Sequence, residues 1–93
     1  MKKKNPEGLP FKVGDKIFIR TVTHYQVGKV VAIGRDFITL DPAAWVACTK
    51  RWADTLKTGE LDEVEPFPSW CMVARGAIVD VAPWAHSLPK EQK

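Results

Sequence analysis

The stretch CMVARGAIVDVAPW, residues 71–84, decides how the chain is read. Two runs rich in Val, Ile and Met flank a bare Arg75-Gly76, where further apolar residues would have made one long strand. Glycine supplies backbone freedom that other residues lack, and a guanidinium has to stay near water. The dipeptide therefore marks a sharp corner between two short strands, 70–74 and 77–81, with Pro83 ending the second.

Working back from that corner, FITLD (37–41) reads as a strand, and Gly34-Arg35-Asp36 as the tight turn before it. YQVGKVVAI (25–33) is a longer strand, with Val27, Lys29, Val31 and Ile33 on one side and Gly28, Val30 and Ala32 on the other. Gly28 in its middle predicts a bend or a close backbone approach. Thr23 and His24 turn the chain, β-branched residues over 16–22 form the first strand, and Val13-Gly14-Asp15 is the turn before it.

From Pro42 the pattern changes. Thr49 is placed to cap a helix over 50–58, with Trp52 and Leu56 on one face and Gly59 as its stop. The acidic, proline-punctuated ELDEVEPFPS that follows reads as a loop. The expected fold is mainly β: a small, strongly bent, five-stranded antiparallel barrel of SH3-like form, with a helical insertion at about 42–69 between strands three and four. Residues 13–84 form this single domain, 1–12 a disordered basic lead-in and 85–93 a frayed tail.

At 93 residues the chain is long enough for one modest core, and an apolar fraction of 45% with four tryptophans argues for a folded globule. No apolar run is long enough to span a bilayer, so no membrane role is expected. The amino end lacks a secretory signal and the two cysteines are too few for a disulfide scaffold, which makes the cytoplasm the expected location. The net charge of +3 comes from Lys2, Lys3 and Lys4, because the rest of the chain is balanced. Such a tail either contacts phosphate weakly or only solubilises the end.

The order of elements, with VGDKIFIRTVTHYQVGKVVAIGRDFITLD (13–41) followed after an insertion by MVARGAIVDV (72–81), resembles the two motifs of the Sm and Sm-like proteins. Gly28 stands at the position of their strand-two glycine. The resemblance implies a homo-oligomeric ring in which the fourth strand of one subunit pairs with the fifth of the next. The interface would then involve Met72, Val73, Ile78, Val79 and Val81. It also implies binding of single-stranded RNA, or single-stranded DNA, at the pore-side loops. By position these loops hold Gly34, Arg35, Asp36 and Phe37 in the hairpin and Arg75 and Gly76 at the corner. The family's base-reading Asn has no counterpart in this hairpin, and its amino-terminal helix is absent. Small Sm-like proteins without the usual base-reading residues occur among phage-borne proteins, so a phage origin is compatible with the resemblance.

In the nucleic-acid reading, Arg75 and Arg35 contact phosphate and Phe37 stacks on a base. The alternative places Phe37 in the core, makes Arg75 a surface cation or a neighbour of Asp80, and leaves an oligomeric protein-interaction module that binds no nucleic acid. His24, Tyr25 and Gln26 read as turn residues or as a second polar-aromatic surface. Trp45, Trp52, Trp70 and Trp84 are expected to form a satellite core under the insertion. His24, Cys48, Cys71 and His86 lack the paired spacing of a zinc site, and the acidic residues 54–65 lack calcium-loop spacing. No nucleophile elbow or phosphate loop is present, so neither an enzyme nor a cofactor is expected.

Overall fold

The computed structural model describes residues 10–93, so most of the basic lead-in lies outside the described residues. The fold is mainly β, an antiparallel sheet of six strands with one helix. The strands are β1 (Lys16–Thr21), β2 (Tyr25–Ile33), β3 (Phe37–Thr49), β4 (Leu61–Pro66), β5 (Cys71–Ala74) and β6 (Ile78–Pro83). The helix α1 covers Trp52–Thr58. Neighbouring strands run β4-β3-β2-β1-β6, and β5 pairs with the first part of β3. The sheet is not closed on itself by strand pairing.

Two expectations about the insertion are corrected. The third strand does not stop at Asp41: it continues through Pro42 to Thr49. Gly28 pairs with Ala43 and Val30 with Leu40, so Lys29 alone faces both Asp41 and Pro42. Proline has no N–H for a ladder, and a bulge is where that loss is harmless. The acidic loop is in part β4, a strand beyond the five expected, paired to the extended end of β3. Its buried residues, Leu61 and Val64, are three apart because the pairing with β3 slips at Cys48. That slip removes the alternation by which a strand is recognised.

The helix starts later than expected. Arg51, not Thr49, occupies the N-cap position and makes no side-chain cap bond. Gly59 does end it, in the left-handed region at φ 80°. The corner is a single 3-10 turn, Arg75–Ala77, so the last strand begins at Ile78 and extends to Pro83.

Both faces of the sheet are covered. Ile17 and Ile19 of β1 join Val30, Ile38, Leu40, Ala43, Cys71 and Val73 in one apolar cluster. Phe18, between them in sequence, points the other way into a second cluster with Val27, Ala44, Val46, Leu61, Val64 and Trp84. Strand alternation dictates this split in β1. In β2 Val27 and Val30 fall in different clusters, as their expected opposite sides require. Ile33, however, packs on the cluster of Val30 rather than on that of Val27, so the expected two-sided assignment holds only in part beyond the bulges. Phe11, expected in the lead-in, is buried in the first cluster.

The tail is not frayed at its end. Leu88 packs on the second cluster, and the Lys93 backbone exchanges two hydrogen bonds with Val64, of 2.9 and 3.2 Å. This pairing covers the outer edge of β4. His86 lies against Gly59, where a Cβ would meet its ring at 2.6 Å, and its Nε2 is 2.8 Å from the Leu56 carbonyl oxygen. Of the four tryptophans, Trp52 and Trp84 pack on Phe18, with ring centroids at 5.2 and 5.3 Å. Trp45 and Trp70 do not join them: Trp45 is partly exposed beside His24, and Trp70 is 58% exposed. No described helix is long and apolar enough to cross a membrane.

Candidate nucleic-acid interface

The hairpin between β2 and β3 and the Arg75-Gly76 corner meet on one surface. Phe37 pairs with Ala74 in the sheet, which sets the hairpin beside the turn. The Arg75 amide donates to the Asp36 carbonyl at 2.8 Å, extending that ladder by one step. The Arg75 guanidinium reaches back and donates through Nη1 to the Gly34 carbonyl, also at 2.8 Å. A further backbone bond, from the Gly34 amide to the Phe37 carbonyl at 2.8 Å, closes the hairpin. Gly34, Arg35, Asp36, Phe37, Arg75 and Gly76 therefore form one contiguous patch.

Within it, Phe37 is not core but 45% exposed, because Ile38 and Leu40 are the residues of β3 that face inward. Arg35 and Asp36 are exposed, and Gly76 has open space around it. Arg75 is not the neighbour of Asp80. That carboxylate is held by Arg20, whose guanidinium pKa is raised by the hydrogen bond and then by the charge of Asp80. With one Nη1 proton already committed to Gly34, Arg75 is both a strut between two loops and a cation at their junction.

The expected interface strands divide in the same way. Val73 is buried and Ile78 and Val81 pack partly on the first cluster, whereas Met72 is 47% and Val79 54% exposed. The bond from Arg75 to Asp36 fixes which groups of β5 face β3. In the antiparallel alternation, Met72 and Ala74 turn their N–H and C=O groups away from it, and no other described strand pairs with β5. On β6, the bond of 3.0 Å from the Trp84 amide to the Lys16 carbonyl sets a similar alternation. Val81 there directs its N–H and C=O outward, away from β1. Two strand edges thus remain unpaired on either side of the corner.

Sequence reasoning missed a second part of this face. Phe37, Thr39 and Asp41 alternate outward along β3, and Met72 pairs opposite Thr39. Val31, Thr39, Asp41, Trp70 and Met72 line a groove of about 310 Å³. The signal was the alternation of FITLD itself, obscured because the strand seemed to end at Asp41. Burial, and then the nearby charge of Asp41, raises the pKa of the Cys71 thiol, which is therefore no activated nucleophile. Among the described residues no group of three or more His, Cys, Asp or Glu side chains is placed to hold a metal ion. No family model, curated protein or solved structure matches the chain.

Proposed function

We propose that the chain is an Sm-like barrel subunit that assembles with copies of itself into a ring. The ring binds single-stranded RNA, or single-stranded DNA, where the hairpin meets the Arg75-Gly76 corner. The observation that carries this reading is the pair of Arg75 hydrogen bonds. They hold the Arg75 guanidinium beside the hairpin that carries the exposed Arg35 and Phe37, with unobstructed backbone at Gly76 next to it. Phosphate attracts the cations, and a base has the face of Phe37 to stack on. Repetition of the patch around a ring multiplies weak contacts without any new residue type.

The unpaired edges of β5 and β6 support the assembly half of the reading, since an open edge is a template for a strand of another subunit. Lysine in place of Val79, an exposed side chain on β6, is expected to convert the oligomer to monomers in sedimentation. An oligomer of unchanged mass would sink the ring. Arg75→Ala removes both a cation and the tie to Gly34. It is expected to weaken binding of a labelled oligouridylate about tenfold and to lower the salt slope by about one unit. Equal affinity and slope in the variant would remove Arg75 from the site.

A second reading, an assembly module without nucleic acid, is favoured by the exposure of Met72 and Val79 beside those edges. Solution mass with and without oligonucleotide separates the two. A ring whose mass is indifferent to oligonucleotide supports the assembly module alone.

A further inference from the structure

We propose that the groove beside Trp70 is a base-binding subsite that selects guanine within a single strand. This inference rests on the nucleic-acid reading above and adds a specificity to it. The groove is continuous with the corner, since Phe37, Thr39 and Asp41 project from the same face of β3. At the rise of an extended strand, Phe37 and Asp41 stand about 13 Å apart, room for more than one nucleotide.

Its walls are apolar and its polar groups are few. Trp70 is the most exposed aromatic residue described and has no ring partner there, so an indole face is available for stacking. Val31 and Met72 complete the apolar lining. The Asp41 carboxylate makes no ion pair or hydrogen bond among the described residues, although it lies near enough to act on the Cys71 thiol.

A carboxylate only accepts hydrogen bonds, through two oxygens side by side. The base edge that matches it carries two adjacent donors. Guanine has that edge, in its N1–H and its exocyclic N2 amine. Adenine, cytosine and uracil each put an acceptor where the second donor would have to be. The carboxylate repels phosphate, but the cations are placed to draw the backbone away from it. Arg35 and Arg75 stand at the hairpin end, and Lys29 lies across the bulge from Asp41. Lys29 and Arg35 form no ion pair among the described residues. The floor of the groove thus attracts a base edge while its ends attract phosphate.

The test measures fluorescence anisotropy of the full chain with labelled UUGUU, UUAUU and UUUUU at low salt. UUGUU is expected to bind about tenfold more tightly than the other two, the discrimination of one good bidentate base contact. Asp41→Asn should abolish that preference without weakening the binding of UUUUU, which gains from the loss of a charge that repels phosphate. Trp70→Ala should lower the affinity for UUGUU about tenfold. Both side chains are exposed, and unchanged circular dichroism would confirm that the variants fold. Equal affinity for the three oligonucleotides, or a preference that survives Asp41→Asn, overturns the guanine subsite and leaves the nucleic-acid reading standing. No binding of any oligonucleotide overturns both. Self-association without oligonucleotide that Trp70→Ala abolishes would assign the groove to a second copy of the chain and overturn the subsite.

Discussion

Replacing Gly28 by alanine is expected to destabilise the domain by about 3 kcal/mol and to lower its melting temperature by about 15 °C. A Cβ at this position would stand 2.8 Å from the Pro42 carbonyl oxygen, 3.0 Å from the Leu40 Cβ and 3.1 Å from the Ala43 Cβ. The oxygen belongs to backbone and the two carbons are fixed to it, so no flexible side-chain end can give way. Relief requires β2 and β3 to separate where the bulge already bends β3. Since a small domain has a total stability of about 5–15 kcal/mol, the loss is a large fraction of the whole. Gly76→Ala is the internal control, because nothing lies within 4 Å of a Cβ there. Thermal melts of the two variants side by side decide the matter. Equal midpoints would show that β2 and β3 do not require the close approach.

Phe18→Ala is expected to cost about 3–5 kcal/mol, the range for an aromatic side chain removed from a packed core. Phe18 is 1% exposed, and its ring is the hub of the second cluster, with Tyr25 at 5.6 Å, Trp52 at 5.2 Å and Trp84 at 5.3 Å. The first belongs to the sheet, the second to the helix and the third to the chain that leaves β6. One truncation therefore loosens both elements that cover this face. Tryptophan fluorescence and near-ultraviolet circular dichroism should change together with stability. A loss below about 1 kcal/mol with unchanged tryptophan spectra would mean that Trp52 and Trp84 are held by other contacts.

The parts of the fold that were legible in the sequence are those where one residue type has a single physical use. Gly28 announced a close approach, Gly59 ended a helix, and Arg75-Gly76 turned a corner. Where two local signals conflicted, the reading failed. Pro42 reads as the end of a strand, yet it sits in a bulge that has no need of its missing N–H. Leu61 and Val64 do not alternate because the partner strand slips by a residue, so β4 looked like an acidic loop. At the site, the sequence brought the hairpin and the corner to notice. It did not show that the Arg75 side chain ties them together, because that contact spans 41 residues of chain. Nor did it show Trp70 and Asp41 sharing a groove, since their proximity comes only from the pairing of β5 on β3.

Two apolar clusters on opposite sides of one sheet also shape how the molecule opens. The layer made of α1, β4 and the returning tail is fastened over the second cluster, and its departure would leave the first one shut. Hydrogen exchange is expected to be slowest at the amides of β1 and β2, which have a paired strand on either side, and faster in that layer. The hairpin and the Arg75-Gly76 corner are built on the strands around the first cluster. An opening confined to α1, β4 and the tail would thus leave in place every backbone bond that joins the hairpin to the corner.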